Sequence, residues 1–167
     1  MIHTILASPI GDILITGDGE RVAGLYTAEH VRPPAQLGAR NDQAFTAARS
    51  QLGEYFAGER SRFDLELDQT GTPFQRRVWD ELCRIGYGEV ASYGQIAARI
   101  GAPTAMRAVG MANGRNQISI VIPCHRVVGS DGKLTGYAGG LTAKRWLLDH
   151  EAARSGVECV LGGFQAL

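Results

Sequence analysis

The chain lacks the cysteines for a disulfide framework: Cys83, Cys124 and Cys159 form neither an even set nor a C-x-x-C pair. A reduced intracellular setting with free thiols is therefore expected. No window approaches the roughly 18 uninterrupted apolar residues of a membrane span, and Met1 to Ile10 hold no basic stretch followed by an apolar one. These absences predict a cytoplasmic protein that is not exported and makes no use of a membrane. The histidines His3, His30, His125 and His150 are scattered, and no Cys/His set has zinc-ligand spacing, so neither a metal nor another cofactor is expected. Internal repeats and low-complexity segments are missing too, which excludes solenoids and disordered arrays.

Net charge is also lacking. Seventeen Lys/Arg balance seventeen Asp/Glu, which on its own argues against a polyanion partner. The distribution argues otherwise. Residues 1–71 hold six Lys/Arg against ten Asp/Glu, whereas residues 72–155 hold eleven against six. A nucleic acid would be met by the second half, although an excess this modest is also found on ordinary solvated surfaces.

What is present is enough apolar material for a core: 44% of 167 residues, which suits one compact unit or two small, tightly joined domains. Thr4–Leu6, Ile13–Ile15 and Val22–Tyr26, separated by turn residues, predict an antiparallel meander. Phe45, Ala48, Leu52, Tyr55 and Phe56 recur at helical spacing, and Phe63, Leu65 and Leu67 alternate as a strand does. Val31 to Asn41, with Pro33, Pro34 and Gly38, reads as loop. A domain boundary is placed near Asp68 to Thr72, giving units 1–71 and 72–167. Thr72-Pro73 then offers an N-cap and a first-turn proline for a helix through Phe74, Val78, Leu82 and Ile85, ended by Gly86 and Gly88. Ser92 caps a second helix, Tyr93 to Ile100. After the Gly101-Ala102-Pro103 turn, Thr104 to Asn113 reads as a third, so the last two form a candidate helix-turn-helix. Ile118 to Ile122 is β-branched and of strand length, and Pro123 ends it. A glycine-rich loop containing Tyr137 precedes a last helix, from about Thr142 to Glu151, anchored by Trp146 and Leu147.

Cys124 and His125 follow Pro123 at once. A thiol beside an imidazole is a candidate nucleophile, because the thiolate needs a nearby base or positive charge. Adjacent residues on a strand point to opposite faces, so the two could share a proton only across a bend or through water. The plain alternative is a small buried thiol beside a surface histidine.

The wider pattern decides between them. Arg107-Ala108-Val109-Gly110, Asn113-Gly114-Arg115-Asn116, Ile122-Pro123-Cys124-His125-Arg126-Val127-Val128-Gly129 and Gly136-Tyr137-Ala138-Gly139-Gly140 occur in that order. Together they closely resemble the methylated-DNA-protein-cysteine methyltransferases, the O6-alkylguanine-DNA alkyltransferases, over about half the chain, with Pro-Cys-His-Arg the most specific element. The resemblance implies an α/β ribonuclease-H-like domain followed by a mostly α domain with a winged helix-turn-helix. The activity it implies is direct-reversal DNA repair by a single-turnover, suicidal transfer of an alkyl group, mainly methyl, from guanine O6.

The resemblance also assigns roles. Cys124 would be the acceptor, His125 would take its proton through a water, and Glu151 would orient the imidazole, a variant of nucleophile, base and acid. Tyr93 would donate to the leaving guanine and lie near the flipped nucleotide's phosphate. Asn116 would tie the recognition helix to the active-site turn. Arg107 would enter the duplex and fill the space of the flipped base, while Thr104, Ala105, Ala108 and Gly110, with Ala112, would let the helix approach the minor groove. Tyr137, Ala138, Ser119 and Met111 would line the base pocket. Some relatives carry a hydroxyl residue at Ala138 and a proline at Ser119, which bears on adduct range. The implied partner is double-stranded DNA, met by a monomer, with clustering along DNA left open. Cys83, on its apolar helix, and Cys159 are read as structural or incidental.

Rival readings are disfavoured. A Cys-His hydrolase would need an oxyanion site and would turn over. Alkyltransferase-like binding modules lack the acceptor that stands here as Cys124. A fused regulator would need a further metal-binding domain.

Overall fold

The computed structural model describes residues 1–155; Glu158, Cys159 and the end of the expected second unit lie outside the described residues. The expected meander forms. β1 (Ile2–Leu6), β2 (Ile13–Gly17) and β3 (Val22–Tyr26) pair antiparallel, with Leu6 opposite Ile13 and Leu14 opposite Tyr26. Gly11, at φ +93°, makes the first turn, and the Asp18 carboxylate accepts from the Glu20 and Arg21 amides in the second. Ile13, Ile15, Val22 and Leu25 are fully buried, and α1 (Thr46–Ala57) adds Ala48, Leu52 and Tyr55 to the same core.

Two local expectations in this half give way to pairing between distant segments. Ala39–Arg40, inside the expected loop, forms β4 parallel to β1 and completes the order β3-β2-β1-β4. The free edge of β1 supplies this pairing, and the local sequence carried no strand pattern. Phe63 to Leu67 makes only one bridge, Leu67 to Val22. The rest of the β3 edge is taken: Leu25 N–H donates to the Gln117 carbonyl at 2.8 Å, and Ser119 N–H donates to the Leu25 carbonyl at 3.1 Å.

The helical half follows its caps. Thr72 with Gln75 and Ser92 with Gln95 form capping boxes that start α2 (Pro73–Leu82) and α3 (Tyr93–Arg99). Gly101, at φ +71°, turns the chain, and α4 (Met106–Asn113) begins two residues later than expected. Trp79 Nε1 donates to the Ala112 carbonyl at 2.9 Å, which ties α2 to α4. Val109, Ala112 and Asn113 face inward, while Arg107, Ala108 and Met111 face out. Cys83 is not within α2 but exposed at its C-terminal cap.

Ile118 to Ile122 is not a strand. Val121 N–H donates to the Ser119 carbonyl, Ile122 N–H to the Ile118 carbonyl, and Ile120 sits at φ +72°. Ile118, Ile120 and Ile122 are each 1% exposed. Burying all three outweighs both β-propensity and a left-handed β-branched residue, which costs roughly 1–2 kcal/mol. After this coil comes a 3-10 turn, Cys124–Arg126, and then β5 (Ala91–Ser92) receives β6 (Val127–Val128) in parallel. The last helix, α5 (Leu141–Ser155), runs one turn beyond Glu151. One apolar cluster spans both halves, from Ile13 and Tyr55 to Val78, Ile122 and Leu147. Among the described residues, no helix is long and apolar enough to cross a membrane.

Candidate active site

The bend at Pro123 places Cys124 and His125 on a helical turn, so the objection that adjacent strand residues face apart does not apply. Cys124 is 3% exposed, and His125 and Glu151 are fully buried. Glu151, one turn before the end of α5, receives five donors. Oε1 accepts from Tyr55 Oη at 2.7 Å, His125 Nε2 at 2.8 Å and Arg126 Nη2 at 3.0 Å. Oε2 accepts from Arg126 Nε at 2.8 Å and from the Gly88 amide at 3.2 Å.

This arrangement fixes protonation. With a carboxylate at Nε2, that nitrogen carries the proton and Nδ1 keeps its lone pair. Nδ1 is buried and has no hydrogen-bond partner among the described residues. Burial depresses the imidazole's pKa more than Glu151 raises it, so His125 rests neutral. Burial also opposes ionisation of Glu151, but the charges and hydrogen bonds of His125 and Arg126 hold the carboxyl well below the usual range. The resting site is therefore a neutral base on an ionised acid.

Burial pushes the Cys124 thiol up, and the Asn116 amide, the Lys144 ammonium and nearby backbone N–H groups oppose it. Asn116 Nδ2 lies 3.0 Å from Sγ and donates to the Ile122 carbonyl at 2.9 Å, while Oδ1 accepts from the Ile118 amide at 3.0 Å. Asn116 thus holds the turn by its side chain while its own amide donates to the Asn113 carbonyl at the end of α4 at 3.2 Å, and Asn113 adds a second link by donating to the Cys124 carbonyl at 3.3 Å.

The remaining expected residues fall in two places. Ser119, Tyr137 and Ala138 are buried, and among the described residues the Ser119 and Tyr137 hydroxyls, like Asn113 Oδ1, lack a well-formed hydrogen bond. Tyr93 starts α3 and accepts from Thr135 Oγ1 at 3.2 Å, which joins it to the glycine-rich loop. Thr104, Arg107, Ala108 and Met111 are exposed on or beside α4, and Met111 lines a cleft with Arg107. Ala105 caps α4, Gly110 packs beside the Tyr93 ring, where a Cβ would make ordinary contact at 3.7 Å, and Ala112 is 2% exposed. The small residues therefore divide between an outer face and internal packing. Among the described residues, no three His, Cys, Asp or Glu converge as a metal site.

Models of two domains match in chain order. The 6-O-methylguanine DNA methyltransferase ribonuclease-like domain covers residues 1–69, and the DNA binding domain of the same family covers 73–153. The chain belongs to the 6-O-methylguanine DNA methyltransferase family. It is 50% identical over 163 residues to the methylated-DNA--protein-cysteine methyltransferase of Mycobacterium tuberculosis, covering 96% of this chain and 99% of that one. The constitutive enzyme of that name from Bacillus subtilis is 44% identical over 155 residues, covering 89% and 94%. The crystal structure of Mycobacterium tuberculosis OGT in complex with DNA is similar at a TM-score of 0.89 and 49% identity, covering 92% of this chain and 94% of that one.

For a member of this family, three buried contributors had no distinctive local signal. Arg126 adjoins Cys124 and His125, yet its bidentate hold on Glu151 requires the fold. Tyr55 looked like one more apolar position of α1. Lys144 is fully buried, donates to the Val127 carbonyl at 2.6 Å and the Thr135 carbonyl at 2.9 Å, and is lowered by burial to about 8. Lys144 adjoins Arg145 in a helix of mixed polarity, where nothing local distinguishes a buried lysine from a solvated one.

Proposed function

We propose that this protein repairs DNA by direct reversal, moving an alkyl group, mainly methyl, from guanine O6 in a duplex onto Cys124 Sγ, once per molecule. The carrying observation is the buried Cys124–His125–Glu151 set, in which Nδ1 is the one imidazole nitrogen still able to accept a proton. His125 takes the thiol proton through a water, Glu151 steadies the resulting charge, and Asn116 and Lys144 favour the thiolate. Sγ forms a bond to the alkyl carbon as the bond from that carbon to O6 breaks, and the electron pair leaves with guanine. Tyr93 donates a proton to the departing base. The product is a thioether with no good leaving group, so the protein is consumed.

A thiol 3% exposed cannot reach O6 inside a stacked duplex. The base must be flipped out, which costs a few kcal/mol. Arg107, exposed on α4, fills the vacancy, and Thr104, Ala105, Ala108 and Gly110 let the helix lie in the minor groove, where sequence is read weakly. Tyr137, Ala138 and Ser119 line the path of the base, Met111 borders it from the exposed face of α4, and the Ser119 and Tyr137 hydroxyls, buried beside each other, supply polar partners for it. The units are 1–71 and 72–167, and the protein acts as a cytoplasmic monomer.

Incubation with duplex DNA carrying labelled O6-methylguanine, followed by peptide mapping, tests this. Label is expected on the Cys124 peptide and absent in Cys124→Ala. Label elsewhere, or repeated turnover, would contradict it.

A further inference from the structure

Residues 1–71 carry a net negative charge, with ten Asp/Glu against six Lys/Arg, which would repel a DNA duplex held by α4 unless a local feature offsets it. The six cations there are all arginines, and four are occupied. Arg21 pairs with Asp18 at 2.8 Å, Arg40 with Asp42 at 2.9 Å and Arg60 with Glu54 at 2.7 Å, while Arg49 donates to the Asp42 carbonyl. The guanidinium groups of Arg32 and Arg62 make no hydrogen bond or ion pair among the described residues. Of the two, Arg32 is the one beside α4.

Arg32 is exposed and lines a cleft of about 390 Å³ with Arg107 and Arg115, which flank α4 at its start and just past its end. Neither of these arginines has an ion-pair partner among the described residues. An adjoining cavity of about 420 Å³ shares Arg32, Gly114 and Arg115 and adds His30 and Gln75. Among the described residues, no carboxylate lines either space. Three arginines from both halves of the chain, unpaired among the described residues, thus face one concavity that no described acid lines, although acidic residues equal basic ones overall. Arg32 is set there by its own turn, in which its amide donates to His30 Nδ1 at 3.1 Å and Val31 N–H donates to the Ala138 carbonyl at 2.8 Å.

We propose that Arg32 binds a backbone phosphate of the duplex on which α4 sits, so that the ribonuclease-like domain takes part in the DNA interface. The proposal rests on the DNA-repair reading above and adds a contact outside the helix-turn-helix. The ligand class is a phosphodiester, which a guanidinium fork recognises by paired hydrogen bonds and charge. Arg115 closes the other side of the cleft, and Arg107 is left to enter the duplex.

The test is the salt dependence of affinity for undamaged duplex DNA, measured on the full chain. Loss of one phosphate contact flattens the plot of log K against log salt by about 0.9. Arg32→Ala is expected to show that change, with affinity at low salt falling about three- to tenfold, and Arg32→Lys to keep the slope. Arg115→Ala serves as comparator. An unchanged slope and affinity in Arg32→Ala, beside a flatter slope in Arg115→Ala, would place Arg32 outside the footprint and overturn the proposal while leaving the repair reading intact. No salt-dependent affinity in the unaltered protein, with no label on Cys124, would instead defeat the repair reading itself. Arg32 is exposed, so a drop in thermal midpoint is not expected to obscure the result.

Discussion

Replacing Tyr55 by phenylalanine removes one atom from the site and nothing else. The ring keeps its contacts with Phe56 and Phe63 at 5.4 Å and with Tyr87 at 6.1 Å, but the 2.7 Å hydrogen bond to Glu151 Oε1 is lost. A hydrogen bond to a charged group contributes about 1.5–3 kcal/mol. Glu151 retains four other donors, so the lower end applies, and a loss of about 1.5–2 kcal/mol corresponds to roughly 3–8 °C in thermal midpoint for a chain of this size. The chemical effect has a definite sign. With one donor fewer on Oε1, more of the carboxylate's negative charge bears on His125 Nε2, and the imidazolium becomes easier to form. The base must be neutral to accept the thiol proton, so the acid limb of the pH–rate profile moves to higher pH, by under about one unit, since one unit is 1.36 kcal/mol. Single-turnover transfer rates across pH, with thermal denaturation alongside, measure both effects. A lower midpoint with an unmoved acid limb would mean that the phenol only holds the two halves together. An unchanged midpoint would mean that it does not bear on Glu151 at all.

Tyr93→Phe is expected to retain duplex affinity while slowing transfer by up to about 10²; equal rates would remove Tyr93 as proton donor. Stability should fall as pH drops from about 5, because Glu151 in the folded chain titrates far below its ordinary 4.5. The unfolded chain then takes up its proton first, and the stabilisation present above the unfolded value is lost. Asp18 and Asp42, also lowered by their partners, add slope of the same sign. Glu151→Gln is the control. It should lower stability by about 3–5 kcal/mol by leaving Arg126 buried without its counter-ion, and its denaturation midpoints between pH 5 and 3 should change less than those of the unaltered protein. Equal slopes would show that Glu151 is not the titrating group.

The sequence by itself determined the elements with local instructions. Thr72-Pro73 and Ser92 start helices because their side chains satisfy amide groups that any helix leaves open. The meander follows from short alternating runs between turn residues. The ordered motifs around Pro123-Cys124-His125-Arg126 also carried the resemblance to the alkyltransferase family, which adjacency of a thiol and an imidazole alone did not. Tertiary structure decided what depends on distant partners. Ile118 to Ile122 carries the composition of a strand yet folds as a turn, because burial of its isoleucines and the Asn116 side chain outweigh local propensity. β4 exists only because β1 has an open edge. Tyr55 and Glu151 stand 96 residues apart and meet on one oxygen, and Lys144 becomes a buried cation only when the loop carbonyls close on it. Spacing along a chain cannot reveal such meetings, because their energy comes from water excluded and charges paired between segments that are brought together by the shared core.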